Sequence, residues 1–293
     1  MAKENPLASN LTLEQQKNLF GNAYLNMLWH CPTDQRFPYW VHLPDCYYDE
    51  KDPHYKLLVI IHGTGCAVED YVRHAKELAD RDHVAVLAPL FPGGLIQRDD
   101  FNSYKLLSCD GVRYDQILLD MIDDMAKRYP GVETDKFFLF GHSGGGQFVN
   151  RFLFAHPEKL RACAIGAPGR PTFLNPDEDY FWGTRDFKNY FGHDVDLAAV
   201  QKVPVLVIVG ENDTKFIGDS PYGDNRVARM KSLQKNLQDH GVHTELTTFL
   251  DPGCEQKFGN KRDAVVCAGQ MAADFIEWDK LSFCRGRRDL PER

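Results

Sequence analysis

The sequence predicts an α/β protein, a mostly parallel central sheet with helices on both faces. Short runs rich in β-branched and aromatic residues alternate along the chain with longer amphipathic segments. The runs are apolar throughout rather than at every second residue, which is the pattern of strands buried on both faces. Two glycine-rich turns, His62-Gly63-Thr64-Gly65 and Gly141-His142-Ser143-Gly144-Gly145, follow directly on such runs. In a parallel sheet, turns of this kind fall at the carboxyl ends of the strands, where ligands bind.

In chain order, strands are expected over 39–43 (YWVHL), 56–61 (KLLVII), 84–89 (VAVLAP), 136–140 (KFFLF), 160–165 (LRACAI), 203–209 (VPVLVIV) and 244–250 (TELTTFL). Amphipathic segments near 68–80, 113–129, 145–155, 224–239 and 262–279 are the expected helices. This βαβ alternation implies right-handed crossovers. Two connections are too long to be simple turns, 91–112 and 169–200, and both leave from strand ends that surround the expected site. Long loops so placed form lids or substrate walls. The expectation is one domain over 1–293, with a lid loop at about 91–112 and a cap insertion at about 169–200.

The cap holds Phe173, Tyr180, Phe181, Trp182, Tyr190 and Phe191. These aromatics either line an apolar pocket, with Phe181 and Trp182 as substrate contacts, or fasten the cap to the sheet. In the lid loop Arg98, Asp99 and Tyr104 are candidate polar contacts to a substrate, and equally a solvated or salt-bridged loop.

Composition narrows the function. With 43% hydrophobic and 26% charged residues the chain has a globular profile, and its formal net charge of −8 argues against general attraction to nucleic acid or an anionic membrane. No stretch of about 18 consecutive apolar residues suggests a spanning helix, and the opening MAKENPLASN lacks a long apolar run, so a cytoplasmic protein is expected. The eight cysteines form no CxxC pair and read as reduced thiols, so metal binding has little support, and no cofactor is expected.

The chemistry is carried by Ser143. G-x-S-x-G between an apolar strand and an amphipathic helix is a strand-turn-helix elbow, in which glycines let the backbone turn sharply and hold the serine oxygen clear of the surface. A nucleophilic serine also needs donors aimed at the charge that develops on the attacked carbonyl. The turn after KLLVII, His62-Gly63-Thr64-Gly65, resembles the HG-x-x turn after the third strand of esterases and lipases, and this resemblance implies that the N–H of Thr64, with Gly65, would join that of Gly144 in an oxyanion hole. His62 then reads as a turn residue, and His142 as a packing residue pointing away from the bend.

These motifs, in this order and over nearly the whole chain, resemble the α/β-hydrolase superfamily, and within it the small esterase and polyester-depolymerase-like branch. The resemblance implies serine-dependent cleavage of a small ester, lactone or related acyl substrate, with the triad in the order Ser, Asp or Glu, His. The loop after VPVLVIVG is where the superfamily's acid sits, and it offers Asp213, with Glu211 as the alternate. The family histidine belongs after the last strand, in a stretch such as P-G-x-x-H. Here Pro252-Gly253-Cys254-Glu255 is followed by Gln256, and no histidine occurs after His243.

Glutamine takes no proton from serine at ordinary pH. His243 and His240 precede the last strand and so fall at the wrong end of it; His193, in the cap, is the one other histidine that could reach inward. Loss of a triad base can cost about six orders of magnitude in turnover. Three readings stay open: a hydrolase altered at position 256, a non-hydrolytic enzyme such as a lyase, cyclase or isomerase using the same oxyanion pocket, or a silent small-ligand-binding protein.

Overall fold

The computed structural model describes residues 11–49 and 54–249. Its strands are β1 (Asn26–His30), β2 (Pro38–His42), β3 (Tyr55–Ile61), β4 (Val84–Pro89), the two-residue β5 (Ser108–Cys109) and β6 (Val112–Arg113), β7 (Val132–His142), β8 (Leu160–Gly166), β9 (Val205–Gly210) and β10 (Thr244–Phe249). The helices are α1 (Leu13–Phe20), α2 (Val68–Asp82), α3 (Tyr114–Arg128), α4 (Gly144–Ala155), the short α5 (Phe187–Phe191) and α6 (Leu197–Val200), and α7 (Arg226–Asp239).

Eight strands form one sheet in the order β1-β2-β4-β3-β7-β8-β9-β10, and β5 and β6 pair separately as a hairpin. From β4 to β10 every pairing is parallel, while β1 and β2 add an antiparallel edge. All seven expected strands are present, with ends shifted by a few residues. The eighth, β1, escaped sequence reading because it is an edge strand whose burial alternates between exposed and half-buried, so it carries no continuous apolar run. The expected helix over 262–279 lies outside the described residues.

Alternate residues of β3 face opposite layers. Leu57, Val59 and Ile61 pack with α3, α4 and the cap, while Leu58 and Ile60 pack against Tyr71, Ala75, Leu78 and Ala79 of α2. A strand covered on both sides needs apolar residues at every position, which is why KLLVII has no alternation. Among the described residues, no helix is long and apolar enough to cross a membrane.

The two long connections are packed rather than loose. Phe91, Tyr104 and Leu107 of the lid loop are buried, and so are Phe173, Phe187 and Phe191 of the cap. A buried arginine ties the two together. Arg151, wholly buried on α4, donates from Nε to Thr172 Oγ1 (3.0 Å), from Nη1 to Lys105 O (2.5 Å) and from Nη2 to Arg170 O (2.8 Å). Tyr180 of the cap donates its hydroxyl to Leu106 O of the lid loop (2.5 Å). A second clamp, Arg229 of α7, donates to the carbonyls of Gly223 (2.9 Å), Gly218 (2.6 Å) and Gly169.

Removing Arg151 strands three buried acceptors at once. We predict that Arg151→Ala lowers unfolding stability by about 2–4 kcal/mol, the cost of leaving such groups unsatisfied. Urea denaturation checks this, and a loss under about 1 kcal/mol would show that water replaces the clamp without penalty.

Candidate active site

Ser143 stands where β7 gives way to α4, with φ +56° and ψ −109°, a backbone conformation that L residues rarely adopt. Its N–H donates to Gly166 O of β8 (2.8 Å), and its carbonyl accepts from Gln147 N of α4 (3.2 Å), so both neighbours hold the bend. A serine at a helix N-cap normally accepts a hydrogen bond from the first turn. Ser143 makes no such bond, and its half-buried hydroxyl is not committed to the helix.

The Gly63-Thr64 turn lies against this elbow. A Cβ on Gly145 would collide with Ile61 O, so only glycine lets α4 start this close to the end of β3. A Cβ on Gly63 would sit 3.9 Å from Ser143 Cβ. The point where Gly144 would carry a Cβ is 3.1 Å from Thr64 N and 2.8 Å from Lys105 Cε, and touches the Tyr104 hydroxyl. Thr64 and Gly144 are therefore neighbours beside Ser143, and Thr64 and Gly65 are exposed at the mouth of the turn.

His62 fastens the turn. The Phe91 N–H donates to its Nε2 (3.0 Å), which makes Nε2 an acceptor, and Nδ1 then carries the proton donated to Gly63 O (2.7 Å). Tyr104 donates its hydroxyl to His62 O (3.1 Å), so the lid loop grips the turn at a second point. Burial pulls the His62 pKa down to about 4. Burial, with the Arg226 charge second, does the same to His142, also to about 4.

Asp213 lies in the loop after β9. Register aligns His142 with Gly166 and Gly166 with Ile208, so that loop leaves the sheet two strand spacings from Ser143, roughly 10 Å. Asp213 is half-buried, whereas Glu211 is exposed. Its Oδ1 accepts from Arg226 Nη1 at the start of α7 (3.2 Å). Phe249 pairs with Gly210, so β10 delivers the chain to the same edge, and Gln256 itself lies outside the described residues.

The other histidines are elsewhere. His243 O accepts from Val205 N at the opposite end of the sheet, and His240 bonds Asn236 O at the end of α7 (2.8 Å). His193 is exposed, bonds the adjacent Asp194 O (2.9 Å) and packs edge-on to Phe187. Arg98 and Asp99 are exposed on a turn closed by Gly94 N to Asp100 O (2.6 Å). Tyr104 is buried at the elbow, whereas Phe181 and Trp182 are half-buried with rings beside Arg151 (5.3 Å) and Arg229 (5.4 Å).

Sequence reading passed over Lys105, Arg151, Arg226 and Arg229. Arg151 left a signal, a single cation inside the mostly apolar FVNRFLFA of α4. Lys105 left none, since an exposed and a buried lysine look alike in a loop.

No protein-family model matches the chain, and no curated protein matches it. Solved structures do. The chain is similar to the poly(3-hydroxybutyrate) depolymerase LpqC from Bordetella parapertussis, at 18% identity and a TM-score of 0.66, covering 90% of this chain and 92% of that one. It is similar to the S-formylglutathione hydrolase FrmB from Staphylococcus aureus, at 17% identity and a TM-score of 0.56, covering 85% and 95% respectively. A third is the siderophore hydrolase EstA from Aspergillus nidulans, at 16% identity and a TM-score of 0.55, covering 87% and 96%.

Two outcomes follow from this geometry. Gly145→Ala is expected to destabilise the fold by about 2 kcal/mol or more, because the added methyl meets backbone that cannot withdraw, and thermal unfolding measures it. His62 and His142 bind protons near pH 6.5 when unfolded but near 4 when folded, so stability falls as pH drops through that window. His142→Asn should flatten that fall in denaturant midpoints taken from about pH 7 to 4.5; an unchanged slope would mean His142 is not held neutral.

Proposed function

We propose that this chain, which has the α/β-hydrolase fold, is a serine hydrolase of a small ester, lactone or related acyl substrate. The observation that carries the reading is the contact between two turns. The Ser143 elbow and the Gly63-Thr64 turn meet at Gly144, where a Cβ would lie 3.1 Å from Thr64 N, and a Cβ on Gly63 would lie 3.9 Å from Ser143 Cβ.

In this reading the Ser143 oxygen attacks the substrate carbonyl. The charge that forms on the carbonyl oxygen is taken up by the N–H groups of Thr64 and Gly144, with Gly65 beside them. Gly144 heads α4, so its N–H also lies at the positive end of the helix dipole. The bond to the leaving group then breaks, and water releases the acyl group from Ser143 in a second attack at the same place. The proton of Ser143 needs an acceptor, which Asp213 would orient at position 256. Gln256 is no acceptor, so both steps are slowed in the chain as it stands.

A second reading, a fold that binds a carbonyl ligand or rearranges it without acylation, is favoured by one observation. The Asp213 carboxylate is paired with Arg226, so part of its charge is already answered without a histidine. Both readings place a small-molecule ligand at Ser143.

The two are separated by intact-mass spectrometry after exposure to a fluorophosphonate, in which the Ser143 oxygen bonds phosphorus and fluoride leaves. The hydrolase reading expects slow labelling of the unmodified chain and a rate at least about 10³ higher in Gln256→His. Adding Ser143→Ala should abolish the label. No labelling in any form would overturn the hydrolase reading, and fast labelling with Gln256 in place would overturn its assignment of the missing base.

A further inference from the structure

We infer that Lys105 makes this site selective for acyl substrates that carry a carboxylate. The inference rests on the reading of Ser143 and Thr64 as the reacting pair and names the class of substrate that pair receives.

Lys105 is a buried cation, only 5% exposed. Its arm runs along the oxyanion turn, with Cε 2.8 Å from the same point that lies 3.1 Å from Thr64 N. Its position is fixed from both sides. The backbone N–H donates to Asn102 O (3.0 Å), and the carbonyl is held by the buried Arg151. An ammonium has three N–H donors. Among the described residues Lys105 Nζ makes one hydrogen bond, to Asn102 Oδ1 (2.7 Å), and no ion pair.

Among the described residues, the groups around it do not supply the missing charge. Asp100 is the nearest acidic influence, but its carboxylate accepts from Asn102 N (2.8 Å), Ser103 N (3.1 Å) and the Ser103 hydroxyl. Arg151 and Arg170 add positive charge, and the phenol of Tyr104 and thiol of Cys66 complete the surroundings. Burial pulls the Lys105 amine down to about 8, so at neutral pH it is still protonated.

A cation taken out of water without an anion is costly, and the cost is relieved by whatever brings a negative charge to it. A substrate held between Ser143 and Thr64 is placed to do so. One ammonium answers one unit of charge, and three of the five N–H donors of Arg151 already hold the loops, so the ligand is a singly charged carboxylate rather than a doubly charged phosphate. The protein as a whole bears a formal charge of −8, so general electrostatics would repel the anion that this pocket selects.

Calorimetric titration tests this without any acylation step. Monomethyl glutarate and dimethyl glutarate share a chain length and differ in one charge. The unmodified protein is expected to bind the monoester at least tenfold more tightly than the diester at pH 7. That ratio should fall to about one in Lys105→Met and persist in Lys105→Arg, each confirmed as folded by its thermal transition. Equal affinity for the two probes, binding of neither, or a ratio unchanged in Lys105→Met would overturn the inference. If Lys105→Met does not fold, the ratio in the unmodified chain still decides. The charge preference and the fluorophosphonate label are independent readouts, so a pocket without acylation and an acylating serine without charge selection are told apart.

Discussion

The architecture around Ser143 depends on one steric constraint, the approach of the start of α4 to the end of β3. Ile61 O occupies the space where Gly145 would carry a side chain, and Gly144 is hemmed in by Thr64, Tyr104 and Lys105. This closeness forces Ser143 into a positive-φ bend, and the bend turns its side chain away from helix capping. Two turns distant in sequence are thereby brought into contact. The strain is sustained because β8 and α4 both bond the Ser143 backbone.

Around that contact the molecule uses buried cations where a rigid loop is needed. Arg151 joins the lid loop to the cap, and Arg229 joins the cap to the loops that follow Asp213. Each satisfies carbonyls that irregular backbone would otherwise leave unpaired in the interior. The rings of Phe181 and Trp182 lie against the same two guanidinium groups. The aromatic cap is thus fastened through cations as well as apolar contact, and the 91–112 loop shares the Arg151 anchor with it.

Much of this was legible in the sequence because parallel strands and tight turns leave local signatures. Continuous apolar runs marked the inner strands, and glycine spacing marked Ser143 and Thr64, since both are set by residues adjacent in the chain. The antiparallel edge strand β1 was not legible, because its alternating pattern belongs to a different environment. Nor were Lys105 and the pairing of Asp213 with Arg226. A lysine becomes a buried cation, and an arginine a carboxylate partner, only through the tertiary packing of elements that are not adjacent in the chain. Position 256 is the converse case, a glutamine in the sequence where the superfamily resemblance implies histidine, and outside the described residues.

The central claim is that Ser143 and the N–H groups of Thr64 and Gly144 surround a single oxyanion position. Phenylboronic acid forms a tetrahedral adduct on a reactive serine, with a boronate oxygen where the oxyanion would be. The most direct measurement is a ¹⁵N–¹H correlation spectrum of Gln256→His titrated with this compound, beside the same chain carrying Ser143→Ala. The account predicts that the Thr64 and Gly144 amide resonances shift together on adduct formation and stay in place when Ser143 is alanine. Shifts that persist in Ser143→Ala, or an adduct that moves neither amide, would contradict it.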